Sequence, residues 1–243
     1  MSAKDIVLKQ IDSRTARAFV KKHHYSGKVA SNSQIHLGVF WDGKLEGVLQ
    51  YGPSLDKRKI QGLVKDTGWH EFLELNRMVF TDALPRNSES RAIAISFRLL
   101  RKYAPQIKWI ISFADGTQCG DGTIYRASGF VLTSVKKNDQ IWEAPSVPGE
   151  DKELITRFTN PKGKAIIHSA AARTGGNKDA VLPNGGSSMK RFVDAGWKPI
   201  KGHQLRYIYF IDKSYRERLT VPELPFSEIE KRGAKMYKGQ AAG

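Results

Sequence analysis

Residues 108–130 read KWIISFADGTQCGDGTIYRASGF. Trp109, Ile110, Ile111 and Phe113 form an apolar run that reads as a buried strand. The run ends in an acid, Asp115, and breaks into a loop punctuated by Gly116, Gly120 and Gly122. A short helical pattern follows and stops at Gly129. A core strand that ends this way must deliver its last residues to a turn, a phosphate cradle or a reaction centre.

The surrounding pattern supplies the rest of the domain. In DSRTARAFVKKHHY (12–25), Ala16, Phe19, Val20 and His23 follow the spacing of one helical face. Asp12 or Ser13 can cap its start and Gly27 suits its stop. IHLGVF and KLEGVLQYG flank WDGK, and Asp42-Gly43 is a strong hairpin signal because a type I′ turn needs positive φ at both central residues. FLELNRMVFTD (72–82) reads as a strand, and a helix is predicted from about Ser90 to Tyr103, before Pro105. The order helix, hairpin, strand, helix, strand, helix predicts an α/β (α+β) domain with a mixed central sheet flanked by helices.

After residue 135 the character changes. Residues 136–203 carry five prolines and the Gly/Ser-rich link NKDAVLPNGGSSMK, with short strands QIWEA and KAIIHSA and a helix SMKRFVDA. HQLRYIYFID returns as a strand, with Leu205, Tyr207, Tyr209 and Ile211 on one face. The predicted organisation is a catalytic core over 1–135, a C-terminal insertion or subdomain over 136–203, and a final core strand with a basic tail over 204–243.

Charge narrows the partners. Among 243 residues, 40 Lys and Arg oppose 24 Asp and Glu, a formal net charge of +16. That excess points to a polyanion, and nucleic acid first. Lys136, Lys137, Lys198, Lys201 and Arg206 place basic groups around the insertion and are the candidate DNA contacts. No apolar run approaches the ~18 residues of a membrane span, and MSAKDIVLKQ lacks the apolar core of a secretory signal. One cysteine, Cys119, excludes an intrachain disulfide framework, so a reducing cytoplasm is the expected setting.

Several residues could carry chemistry, each with a plainer alternative. Tyr125 could donate a proton to a leaving group or simply pack. Asp115 sits where strand becomes loop, as a working residue or as an Asx turn before Gly116. Glu74 and Asn76 put polar groups on one face of an apolar strand, where they need partners or a cleft. His24 and Tyr25 end the first helix; adjacent His23 and His24 would point apart on a helix, so at most one faces a site. Arg86, Asn87, Ser88, Ser90 and Arg91 precede or open the helix 90–103, where free N–H groups could bind a pyrophosphate or be capped in the ordinary way. His168 and His203 read more readily as structural. A Walker loop and the zinc-deaminase cysteine motif are both missing from the sequence.

The motifs HHYSG, IHLGVFWDGKLEGVLQYG, LELNR, LPRNSESRA, KWIISFADG and GTIYRASGF together resemble the Mom family of Mu-like phages, within the GNAT acyltransferase fold. The resemblance covers roughly residues 20–130. It implies a GNAT-like core and a phage enzyme, active in the host cytoplasm, that places a methylcarbamoyl (acetamido) group on the N6 of adenine in double-stranded DNA, shielding it from restriction. It implies acetyl-CoA or a related acyl donor, with Tyr125 in the acid position and Arg86 to Arg91 on the pyrophosphate loop. Two glycines usual in that loop are Glu89 and Arg91 here. The implied product joins N6 to a methylene carbon, which plain acetyl transfer does not make. Iron-assisted chemistry would draw ligands from His24, Tyr25, Asp115 and Glu74. The alternative is a conventional acetyl-CoA-dependent N-acetyltransferase acting on a small-molecule or protein amine.

Overall fold

The computed structural model describes residues 2–117, 120–145, 155–156, 158–160, 163–168 and 190–234. Cys119, the link 177–189 and the last nine residues of the tail lie outside these.

The main sheet has seven strands: β1 (Val7–Gln10), β2 (Ile35–Trp41), β3 (Lys44–Gly52), β4 (Phe72–Phe80), β5 (Trp109–Asp115), β6 (Val131–Asn138) and β10 (Gly202–Phe210). Their spatial order is β1-β2-β3-β4-β5-β10-β6. The β2–β3 hairpin turns at Asp42 (φ 49°) and Gly43 (φ 72°), as the Asp-Gly pair predicts. The sequence reading did not anticipate β1, the short helix α2 (Lys57–Gln61) or β6, which runs across the expected boundary at residue 135. β1 is a four-residue edge strand, largely exposed, and leaves almost no apolar signature.

Helix α1 (Ser13–His23) buries Ala16 and Val20, and Asp12 caps it by accepting from the Thr15 N–H at 2.9 Å. These two residues pack on Val48 of β3 and Val79 of β4. Helix α3 (Ser88–Tyr103) covers the opposite face, with Ile93, Phe97 and Leu100 against Tyr51, Leu75 and Ile110. It begins two residues earlier than its sequence pattern suggests. Asn87 makes the turn into it with φ 70° and no side-chain cap.

One junction organises the functional region. β4 and β5 are parallel, but they pair only through Phe72–Trp109, Leu73–Ile110 and Glu74–Ile111. Beyond that, β4 pairs with β3 alone and β5 with β10. Two parallel strands that part company in mid-sheet leave a cleft between their C-terminal halves.

β4 also carries a bulge. Gln50 pairs with Arg77 and Tyr51 with Leu75, so Asn76 is the extra residue. A bulge re-aims the side chains beside it, and here it turns Asn76 and Arg77 toward the cleft. Gly52 is required next to it. A Cβ there would sit 2.7 Å from Asn76 Oδ1 and closer still to the Asn32 carbonyl.

A second sheet of three short strands, β7 (Ile141–Glu143), β8 (Ile166–His168) and β9 (Lys198–Pro199), follows β6 in the order β8-β7-β9. One face buries Ile167 with Phe192 and Trp197, beside Trp142. Phe192 lies on helix α5 (Lys190–Asp194), within the predicted SMKRFVDA segment. β10 then returns to the main sheet, with Leu205 and Tyr207 buried on the α3 side.

Candidate active site

Two cavities meet at the splay. The larger, about 660 Å³, is lined by Asn76, Arg77, Glu89 and Tyr125, with His23, His24 and Tyr25 from the end of α1. The smaller, about 190 Å³, is lined by Asp115, Lys28, Asn160 and His168, and shares His24, Tyr25 and Arg77 with the first.

Strand alternation orients Asp115, although Phe113 on the same face of β5 lines the larger cavity. Successive side chains of β5 alternate between faces. Ile110 and Ala114 join the α3-side core, while Trp109 and Ile111 join the other, and Asp115 follows Trp109 and Ile111. Tyr125 belongs to the α3-side cluster, edge-on to Phe130 at 5.2 Å. Asp115 and Tyr125 thus line different chambers on opposite sides of a shared wall rather than one cleft.

Tyr125 is held by its loop. Helix α4 (Thr123–Ala127) has only five residues, too short to persist unaided. Asp121, buried, accepts from the Thr123 N–H at 2.9 Å and from the Thr123 hydroxyl at 2.6 Å, and lies 2.8 Å from Arg126 Nη2. The Tyr207 hydroxyl donates to the Asp121 carbonyl. Gly122 allows this, since a Cβ at its φ of 74° would meet the Tyr207 ring at 2.5 Å.

The end of α1 differs from the sequence expectation. The helix stops at His23, and His24 is already extended (ψ 137°). His24 therefore escapes helical geometry, and both histidines line the larger cavity. The Ser26 N–H donates to His24 Nδ1 at 3.2 Å and the Ser26 hydroxyl lies 2.8 Å from it, so Nδ1 acts as an acceptor. The Tyr25 ring lies 4.3 Å from that of His24.

Asn76 accepts from the Ser33 hydroxyl at 3.1 Å. Arg77 Nη1 donates to the Asn76 carbonyl at 2.6 Å and its Nε to the Lys28 carbonyl at 2.9 Å. Burial pulls Arg77 below its ordinary value, opposed by Tyr25, Glu74 and Tyr125. Glu74 lines neither cavity; burial pushes its carboxyl up, against the pull of its hydrogen bonds and Arg77. Arg77 was not singled out from sequence, although an arginine inside the apolar strand FLELNRMVF is a signal of its own. Asp121 and Asn160 were also missed, since each reads locally as an ordinary turn residue.

The remaining candidates are scattered. Asp115 does form an Asx turn, accepting from the Thr117 N–H at 2.9 Å. At the start of α3, Arg86 is exposed, Ser88 is buried, and the Ser90 hydroxyl donates to the Asn87 carbonyl at 3.2 Å. Arg91 is turned away, donating to the Lys4 carbonyl at 3.1 Å. Glu89, not a cation, faces the larger cavity. This helix start therefore fits a pyrophosphate poorly. Lys136, Lys137, Lys198 and Lys201 are exposed, but Lys136 and Lys137 are adjacent on β6 and point to opposite faces. Arg206 is spent inside the sheet, with Nε donating to Thr133 Oγ1 at 2.9 Å and Nη2 to the Thr133 carbonyl at 3.2 Å. Among the described residues, no group of three or more His, Cys, Asp or Glu side chains is arranged to hold a metal ion; of the four candidate iron ligands, His24, Tyr25 and Asp115 line the smaller cavity and Glu74 does not. No described helix is long and apolar enough to cross a membrane.

A mixed sheet, splayed at the one parallel pair among the described residues, leaves a gap lined by tyrosine, histidine and arginine. The chain belongs to the Mom protein family, whose model matches residues 5–228. It is 40% identical over 219 residues to methylcarbamoylase mom of Escherichia phage Mu, across 90% of this chain and 80% of that protein. Among solved structures it is similar to the spermidine/spermine N-acetyltransferase SpeG of Vibrio cholerae, at 8% identity and a TM-score of 0.45 over 88% of this chain and 98% of that one. It is also similar to the ribosomal-protein-S18-alanine N-acetyltransferase of Escherichia coli, at 9% identity and a TM-score of 0.42 over 85% and 94% of the two chains.

Proposed function

We propose that this chain modifies DNA in the host cytoplasm during phage infection, placing a methylcarbamoyl group on the N6 of adenine. The observation that carries this reading is the 40% identity to the phage Mu methylcarbamoylase across 90% of the chain. The motifs that resemble that family's pattern contribute much of the larger cavity's lining and, through His24, Tyr25, Arg77 and Asp115, one side of the smaller.

N6 of a paired adenine is buried in the duplex, so the base must swing out, at a cost of roughly a few kcal/mol. Phosphate contacts would supply much of the binding energy. α1 carries Arg14, Arg17 and Lys21 at i, i+3 and i+7, all exposed, and runs directly into His24 and Tyr25. This stripe runs into residues that line both cavities, and we assign it the larger share of backbone contact. Affinity would then fall steeply with salt.

The larger cavity is the place for the reacting end of the donor, with Tyr125 as proton donor to the departing group. An acyl-CoA would have to bind without a conventional pyrophosphate cradle, because Glu89 faces the cavity and Arg91 is tied to Lys4. Acetyl transfer through the carbonyl carbon would give N6-acetyladenine; bonding N6 to the methyl carbon instead, with the thioester replaced by a carboxamide, would require a two-electron oxidant and a nitrogen donor as well, so acetyl-CoA alone does not supply the proposed group.

The test is protection. Plasmid from bacteria making this protein is expected to resist restriction enzymes whose sites contain adenine. Full cleavage, with soluble protein demonstrated, would refute the reading.

A further inference from the structure

We propose that the smaller cavity, between the core and the three-stranded sheet, is the chamber that receives the flipped adenine, with His168 and Asp115 at its edge. The inference rests on the DNA-modifying reading above and adds a site and a role for the small sheet.

Size comes first. At about 190 Å³ the chamber is well below the roughly 300–1,000 Å³ of pockets that hold drug-sized ligands. One heterocyclic base fits it; a nucleotide cofactor does not.

The walls match a base. A flipped base is held by stacking between aromatic and apolar side chains and by hydrogen bonds to its edge. In the small sheet Ile141 pairs with His168 and Glu143 with Ile166. Directly paired residues and those two apart share a face, so Ile141, Ile166 and His168 lie on one face, opposite the Trp142–Ile167 face that packs its own core. This face, with its two isoleucines, lines the chamber together with Tyr25 and His24 of the core. The base would lie between apolar and aromatic walls.

The polar groups match adenine in particular. Its edge offers an amino donor at N6 and ring-nitrogen acceptors. The Asp115 carboxylate can accept from N6–H, and the His168 imidazole can donate to a ring nitrogen. Asn160 is held in a fixed orientation at the rim, accepting from the Lys164 N–H at 2.9 Å. Lys28, also at the chamber, carries the charge that the nucleotide's phosphate needs. His24, Tyr25 and Arg77 are common to both cavities, so an N6 beside them faces the donor side.

The test uses the full chain and deoxyadenosine 5′-monophosphate as probe, with binding followed by saturation-transfer NMR. Wild type should bind it and bind thymidine 5′-monophosphate at least tenfold more weakly. His168→Ala and Ile166→Asp should each weaken the adenine nucleotide at least tenfold, with thermal melts and duplex-DNA affinity unchanged. Tyr125→Phe should leave nucleotide affinity within twofold. Absence of wild-type binding, or unchanged binding in both small-sheet variants, would overturn the proposal, as would a tenfold loss in Tyr125→Phe. If wild type modifies plasmid adenine and His168→Ala and Ile166→Asp do so equally well, the chamber is misassigned while the DNA-modifying reading stands. An unmodified plasmid with intact nucleotide binding refutes the enzymatic reading instead.

Discussion

Arg77 Nε donates to the Lys28 backbone carbonyl at 2.9 Å, joining the bulged strand β4 to the loop that carries His24 and Tyr25. The same guanidinium donates to the Asn76 carbonyl at 2.6 Å. One side chain thus fixes both halves of the wall shared by the two cavities. Lysine has the charge but not the planar fork. Arg77→Lys should keep the fold, cost about 1–2 kcal/mol in urea denaturation, and lower the adenine modification rate about tenfold or more. Full activity in this variant would show that the wall does not depend on the fork.

The bulge at Asn76 depends on Gly52. A methyl group there would meet the Asn32 carbonyl and Asn76 Oδ1, and Asn76 Oδ1 cannot withdraw without straining its bond from the Ser33 hydroxyl. Gly52→Ala should destabilise the chain by about 1–3 kcal/mol, the usual cost of overpacking. Thermal melts read this directly.

Asp121 supports α4 through three contacts, to the Thr123 N–H, the Thr123 hydroxyl and Arg126. Removing it leaves a largely buried guanidinium without this carboxylate. Asp121→Ala should cost about 3–5 kcal/mol in urea melts, and surviving folded protein should be less active because Tyr125 loses its anchor. A change below about 0.5 kcal/mol, the scale of surface substitutions, would contradict the account of this loop.

His36 supplies a pH dependence. It is buried between β2 and β3, with Gln50 Nε2 2.9 Å from its Nδ1. Burial holds it below its ordinary value of 6.5, helped by the nearby Arg17 charge and opposed by Asp12. A base with a depressed folded value contributes stability that is complete above the unfolded value and lost as pH falls through the folded one. Wild type should therefore lose stability relative to His36→Gln as pH drops below 6.5. Parallel melts at a series of pH values check the sign; a gap that widens in favour of wild type on acidification would contradict it.

What the sequence made legible was local. The Asp42-Gly43 turn, the α1 face of Ala16 and Val20, and the buried run before Asp115 each follow from turn chemistry or periodicity within a dozen residues. The division of the site did not, because it depends on which strands pair and where they part. Asp115 and Tyr125 are ten residues apart and read as one motif, yet β5 alternation sends Asp115 to one face while the Asp121 loop returns Tyr125 to the other. His24 escaped the helical rule because α1 ends one residue before it. Arg206 looked like a phosphate contact only because its partner, Thr133, lies on a neighbouring strand 73 residues away. Tertiary pairing of this kind leaves no periodic trace.

The central claim is that the splayed cleft modifies adenine, with Asp115 and Tyr125 acting from its two sides. The measurement is mass spectrometry of deoxynucleosides from plasmid grown with wild type, Asp115→Asn or Tyr125→Phe. The account predicts carbamoylmethyl-deoxyadenosine with wild type, heavier than the acetyl derivative by one NH, and a loss of at least tenfold in each variant at equal soluble protein. Unmodified deoxyadenosine with wild type, or equal modification in all three, would contradict it.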